Sequence, residues 1–272
     1  MEINLETLLI DIATKAGSLV SEAFGDSSYR HIVRRNVGDV TRRIDQEVED
    51  FVINTLRSEG LRALVLTEES GTVRIGDGEP EYIVVMDPLD GSLNFTLGIP
   101  FYSVSIAMGR YRENANFGVL TNGVVNFIPR GVVYYGELNK GFTIRGYDDV
   151  SIEEDIDRPV ASIYMEPTVE DGVLRNLRNA YEKLGRFKIR SLGSASLEMT
   201  MAALGKLLFF MDVRNRLRIF DIAGAYVIAK SSGALAMTLG GNDLSSIPLD
   251  LGIRLSVIVT RSVDVARLLL GQ

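Results

Sequence analysis

The stretch Glu81-Tyr82-Ile83-Val84-Val85-Met86-Asp87-Pro88-Leu89-Asp90-Gly91-Ser92 decides how this chain is read. Residues 81–86 form a short apolar run bounded by a turn signal, the pattern of a buried strand. Pro88 disfavours a helical backbone at Asp87, so the chain stays extended or turns there. Asp87 and Asp90 then converge on one point instead of spreading along a helix. Gly91 lets the backbone approach a ligand closely. Ser92 is placed to cap a following helix, which leaves the Gly91 and Ser92 N–H groups as donors for an anion. Two carboxylates beside an anion-binding turn repel phosphate unless cations lie between them. Oxygen-only ligands favour Mg²⁺ or Mn²⁺ over zinc or copper.

The flanking sequence builds a scaffold around that stretch. Leu5, Leu8, Leu9, Ile12, Ala16, Leu19, Val20 and Phe24 recur at helical spacing, which predicts a helix over 2–24. Residues 25–39 are polar and basic and read as a loop or hairpin. A second helix is expected over 41–57, with Ile44, Val48, Phe51, Val52 and Leu56 on one face. A short strand over 63–66 runs into Thr67-Glu68-Glu69-Ser70. Residues 102–135 alternate and carry turn signals, as in an antiparallel meander. Residues 141–159 are polar and acidic without a strong period, and the domain boundary is expected here. An N-terminal α+β domain (1–145) would carry most metal ligands, and a C-terminal α/β domain (146–272) the remainder. The second half alternates strands over 160–165, 187–191, 206–213, 234–238 and 255–259 with helices over 169–184, 195–204, 221–232 and 263–270.

Composition narrows the chemistry. The chain has 272 residues, no cysteine and one histidine, His31. Disulfides, thiolate metal sites and cysteine nucleophiles are excluded, as is any multi-histidine metal site. With 29 basic against 36 acidic residues the net charge is -7, which disfavours nucleic acid as a partner. Apolar runs are too short for a membrane span. The acidic N-terminus lacks a signal-peptide n-region, so a cytoplasmic setting is expected.

Five blocks, in order, carry a resemblance. Asp87-Pro88-Leu89-Asp90-Gly91-Ser92-Leu93-Asn94-Phe95 is similar to the signature of the inositol monophosphatase superfamily. Thr67-Glu68-Glu69-Ser70 resembles its metal-ligand segment, and Phe220-Asp221-Ile222-Ala223-Gly224-Ala225 its second signature. Gly38-Asp39-Val40-Thr41-Arg42-Arg43-Ile44-Asp45 and Gly193-Ser194-Ala195 resemble two further blocks. The wording around Asp45, with arginines before Asp221, looks like the archaeal dual inositol monophosphatase/fructose-1,6-bisphosphatase group. The resemblance implies a layered αβαβα sandwich, of α/β (α+β) class, with metals between its halves. It implies that Glu68, Asp87 and the Leu89 carbonyl hold a first Mg²⁺, and that Asp87, Asp90 and Asp221 hold a second. Glu68, through water, would serve a third, and Mn²⁺ can substitute. Asp45 and Ser92 would orient and help deprotonate the attacking water. The Gly91 and Ser92 amides would hold phosphate, with Ser194 and Asp221 on the substrate side. A homodimer or a tetramer is implied as well.

The sequence also departs from the pattern. Ser92 stands where many members have Thr, and Phe220 where Trp is usual. Arg214, Arg216 and Arg218 precede Asp221 where inositol-specific relatives carry an acid. They read either as a solvated turn or subunit contact, or as a clamp for a second phosphate, which Arg190 could join. The clamp favours fructose-1,6-bisphosphate, hydrolysed at its 1-phosphate, with inositol-1-phosphate as second substrate. The alternative is a 3′-phosphoadenosine 5′-phosphate phosphatase. A non-catalytic phosphate or metal binder would not need the water-activating pair. Tyr164 reads as a core aromatic before a sugar contact. Arg30, His31, Arg34 and Arg35 read as an exposed loop or a closing lid. The acids at 148, 149, 153, 154, 155 and 157 read as a solvated linker.

Overall fold

A computed structural model describes residues 3–30, 32–36, 39–146 and 158–272, with the side chains of 27, 30 and 32–42 left aside. The acidic linker and His31 lie outside the described residues, as do the side chains on which the basic lid depends.

The chain opens with helix α1 (Leu5–Ala23), whose Asn4 side chain accepts from the Thr7 N–H at 3.1 Å. A hairpin of β1 (Ile32–Asn36) and β2 (Asp39–Arg42) leads into helix α2 (Arg43–Ser58). The strands β3 (Ala63–Thr67), β4 (Gly71–Ile75) and β5 (Tyr82–Asp90) follow, then the short helix α3 (Ser92–Leu97). The expected meander is β6 (Ser103–Arg110), β7 (Leu120–Phe127) and β8 (Val132–Glu137), extended by β9 (Gly141–Arg145). Among the described residues these strands form a seven-stranded sheet in the order β4-β3-β5-β6-β7-β8-β9, in which only β3 and β5 run parallel.

The second half continues with β10 (Val160–Tyr164), α4 (Asp171–Lys183), β11 (Lys188–Arg190) and α5 (Ala195–Ala203). Then come β12 (Phe210–Asp212), α6 (Ile219–Ser231), β13 (Leu235–Thr238), β14 (Val257–Thr260) and α7 (Val263–Leu270). Its five strands pair in the order β11-β10-β12-β14-β13.

Side-chain alternation assigns the layers. Along β5, Tyr82, Val84 and Met86 join the core under α1 and α2, while Ile83 and Val85 join the core under α5 and α6. A third core lies between the five-stranded sheet and the outer helices α4 and α7, built on Ala161, Ile163, Phe209, Ala180, Val265 and Leu269. The result is the expected αβαβα sandwich. Helix α6 is apolar all round because it lies between two sheets.

Two strands escaped the sequence reading. In β9, Phe142 and Ile144 are exposed, so burial left no alternation to read. In β4 only Ile75 is buried. The strand expected over 206–213 contracts to Phe210–Asp212, because the preceding residues serve the turn after α5.

Helix α6 reaches the seven-stranded sheet through two glycines. A Cβ on Gly224 would lie 2.6 Å from Ser105 Oγ and 2.8 Å from the Val124 carbonyl oxygen. A Cβ on Gly123 would lie 2.6 Å from the Gly224 carbonyl oxygen. Backbone thus packs on backbone one turn after Asp221, which fixes how far that carboxylate projects. Gly224→Ala is expected to cost about 1–3 kcal/mol through overpacking. A thermal melt that matches the wild type would show that helix and sheet have slack there.

Candidate active site

The site begins with the parallel β3–β5 pair of the large sheet. Thr67 of β3 faces Met86 of β5 in register, so the next residues, Glu68 and Asp87, emerge side by side at the strands' C-terminal ends. Beyond Asp87 the pairing with β6 slips. Asp87 faces Ser105 and Asp90 faces Ser103, so one extra residue is held in β5. An interval of three on a regular strand would point Asp87 and Asp90 to opposite faces. The bulge brings them to the same one. The Leu89 N–H donates to Asp87 Oδ1 at 3.0 Å, which tightens the turn around Pro88. Gly91, at φ +93°, ends the strand, and an added Cβ would press on the Phe101 carbonyl oxygen at 3.0 Å. Gly91, not Ser92, is the N-cap of α3, since only glycine takes that backbone without strain. Ser92 is the helix's first residue.

Asp221 arrives from the first turn of α6. Its Oδ2 accepts from the N–H of the N-cap residue Arg218 at 2.6 Å. Ligand oxygens of Glu68, Asp87 and Asp221 all lie within 4.8 Å of one another. Burial, then the charges of Glu68, Asp90 and Asp221, push the Asp87 carboxyl well above the usual carboxylate range, and Arg218 opposes them.

Asp90 lies beside this trio and is fastened to the start of α5. Its Oδ2 accepts from Ser194 Oγ at 2.6 Å, Ser196 Oγ at 2.5 Å and the Ser196 N–H at 2.8 Å. Among the described residues its Oδ1 accepts only from the Ala195 N–H at 3.2 Å, which leaves lone-pair capacity on that oxygen. Burial raises Asp90 to about 6 against the pull of Ser194 and Ser196. Ser194 is fully buried, so its hydroxyl serves Asp90 before any substrate.

Asp45 is buried on α2. One turn further, the fully buried Glu49 accepts from Thr67 Oγ1 at 2.6 Å and from the Glu69 N–H at 3.1 Å. Glu49 therefore holds the turn that presents Glu68. The sequence reading passed over it, although an acid among Val48, Val52 and Ile53 on an apolar face was a signal. Its other oxygen, Oε1, is buried with no hydrogen-bond partner among the described residues.

The chain finds a counterpart among known proteins: the model of the Inositol monophosphatase family matches residues 3–268. The chain belongs to the inositol monophosphatase family. It is a phosphatase. The chain is 30% identical over 261 residues to the fructose-1,6-bisphosphatase/inositol-1-monophosphatase of Methanocaldococcus jannaschii, with 96% of each chain covered. It is 32% identical over 270 residues to a bifunctional NADP phosphatase/NAD kinase of Methanococcus maripaludis. That match takes in 94% of this chain and 47% of the relative, so the chain spans about half that protein's length. A solved inositol monophosphatase-fructose 1,6 bisphosphatase superposes with a TM-score of 0.80 at 27% identity, covering 99% of both chains.

In this member of the inositol monophosphatase family the basic loop before Asp221 does not present one surface. Arg214 donates from Nε and Nη2 to the buried Asp212 at 2.9 and 2.6 Å, and lies 4.5 Å over the Tyr164 ring. Arg216 reaches Glu166 at 3.0 Å. Arg218 pairs with Glu68 and Asp221. Asn215, at φ +53°, turns the backbone between them, so alternate residues do not share a face. Arg190 is exposed and donates to the Ile189 carbonyl at 2.8 Å. Tyr164 is a core aromatic. Its hydroxyl donates to the buried Glu198 and lies 3.1 Å from the Gly193 N–H. Glu198 also accepts from the Leu192 N–H at 2.9 Å and the Gly193 N–H at 3.1 Å, tying the segment before Ser194 to the core.

Proposed function

We propose that this chain is a divalent-cation-dependent phosphomonoesterase that hydrolyses the 1-phosphate of fructose-1,6-bisphosphate and also inositol-1-phosphate. The observation that carries the reading is the Glu68–Asp87–Asp221 cluster, with its oxygens inside 4.8 Å. Three acids this close, one of them buried, fit a hard cation bound through oxygen. The names of the archaeal relatives that match nearly end to end support the substrates.

In this reading Glu68, Asp87 and Asp221 hold the cation, with the Leu89 carbonyl and Asp90 Oδ1 as further ligands. Bound there, Mg²⁺ (two or three ions, with Mn²⁺ able to substitute) supplies Lewis acidity for water and charge neutralisation for the phosphoryl group. Asp45 and Ser92 orient the attacking water, and Asp45 accepts its proton. The amides of Gly91 and Ser92 hold the phosphate. Arg190 and Arg216, both exposed, are our candidates to meet a second phosphate. Arg214 is committed to Asp212 and Tyr164 and would contribute by supporting its loop. A homodimer or tetramer is part of the proposal, as is a division of labour between residues 1–145 and 146–272.

A second reading has its own support, the 32% identity to the NADP phosphatase/NAD kinase: the substrate would be the 2′-phosphate of NADP. Phosphate release with Mg²⁺ should therefore be compared on fructose-1,6-bisphosphate, inositol-1-phosphate, NADP and 3′-phosphoadenosine 5′-phosphate. The bisphosphate sugar is expected to turn over fastest, and Arg190→Ala/Arg216→Ala to lower its kcat/KM about tenfold with inositol-1-phosphate spared. Faster turnover of either nucleotide would replace the first reading.

A further inference from the structure

Arg218 is the one arginine of its loop whose charge enters the carboxylate cluster. Its Nη2 donates to Glu68 Oε1 and lies 3.4 Å from Asp221 Oδ1. Arg214 and Arg216 are neutralised elsewhere, by Asp212 and Glu166. The root of Arg218 is held independently of its head. The main-chain N–H bonds Asp221 Oδ2 at 2.6 Å, and the residue caps α6. The guanidinium carbon lies 4.5 Å over the Phe220 ring, and the side chain keeps 23% of its surface exposed. The head stacks on buried Phe220 in the same pose in which it bonds the carboxylates, and its exposed part lets it swing towards solvent while the main-chain cap persists.

We infer that Arg218 is a built-in counter-ion that competes with the divalent cation for the oxygens of Glu68 and Asp221. This rests on the cation-dependent reading of the cluster. A guanidinium and a hard cation cannot use the same lone pairs at once, so loading the site requires the head to move aside. The device keeps the acids compensated when cation is scarce and weakens the apparent cation affinity. Competition of this kind predicts tighter cation binding once the arginine is removed, whereas a residue that helps hold the cation predicts the opposite.

The test is calorimetric titration of the full chain with Mn²⁺, without substrate, on wild type, Arg218→Gln and Arg218→Lys. Thermal melts in chelator and in Mn²⁺ accompany it. The Gln variant is expected to bind about tenfold more tightly, a difference of ~1.4 kcal/mol. It should melt lower than wild type in chelator and gain more on Mn²⁺ addition. Arg218→Lys, which keeps the charge but loses the fork, should fall between the two. Equal or weaker Mn²⁺ binding by folded Arg218→Gln overturns the competition while leaving the cation reading intact. If folded wild type and both variants all fail to bind Mn²⁺, the cation reading falls and takes the inference with it.

Discussion

Asp87→Asn should lose phosphate release by about 10³-fold or more, beyond the loss of a single oxyanion donor, and yet melt higher than wild type when no cation is present. Both effects come from one cause. Asp87 is buried at the end of β5, and Glu68, Asp90 and Asp221 press on its charge. Its folded-state pKa lies above the unfolded value, so the fold favours the neutral acid. That contribution to stability is complete below the unfolded pKa and is lost as pH rises through the folded one. Asn is neutral at every pH. The melting-temperature gain of Asp87→Asn should therefore grow as pH rises, towards about 1 kcal/mol, or roughly 2–4 °C in a chain of this size. Asp90, raised from 3.8 to about 6, adds a penalty of the same sign that develops as pH rises through about 6. Cation binding runs the other way, since it needs the charged form, and should weaken as pH falls through about 6. A variant that melts no higher than wild type at neutral pH in chelator would show that the carboxylates are not strained. Undiminished turnover by Asp87→Asn would falsify the assignment of the site.

The second large effect belongs to a residue with no proposed part in the chemistry. Glu198→Ala is expected to destabilise the chain by about 3–5 kcal/mol, a fall of roughly 10 °C in melting temperature. The fully buried Glu198 carboxylate receives Ser162 Oγ at 2.5 Å, the Leu192 and Gly193 N–H groups and the Tyr164 hydroxyl. Removing it strands these donors in the interior. Glu198→Gln keeps the shape but brings an amide NH₂ towards them and should recover only part of the loss. Activity should fall with stability, because the same segment leads to Ser194, whose hydroxyl holds Asp90. A melt within about 1 kcal/mol of wild type would mean that the donors find other acceptors.

Much of this architecture was readable because helix and strand periods are strong where burial is one-sided. The apolar stripe of α1, the alternating meander and the α/β rhythm of the second half all match the sequence pattern closely. The run that ends in Asp87 located the carboxylates, and Pro88 implied the turn. The bulge that rotates Asp90 was not legible, since it depends on how β6 pairs with β5. The arginine loop was legible only as two alternatives, a solvated turn or subunit contact and a phosphate clamp. The partners Asp212 and Glu166 that hold Arg214 and Arg216 are set by the tertiary fold and by the left-handed backbone at Asn215. Glu49 and Glu198 were missed because a lone acid in an apolar stretch reads as a solvated exception. In the fold each is an acceptor for buried donors.

The glycine contact between α6 and the large sheet also governs how the molecule breathes. Residues Ile222–Ala229 are enclosed on all sides, and backbone touches backbone at Gly123 and Gly224. No partial opening frees residues 222–229 without parting the two sheets. Amide hydrogens of α6 and of β5 should thus exchange only through global unfolding, at a common slow rate. Arg190 and Arg216 are exposed and lie outside that block, so replacing them should cost the fold little.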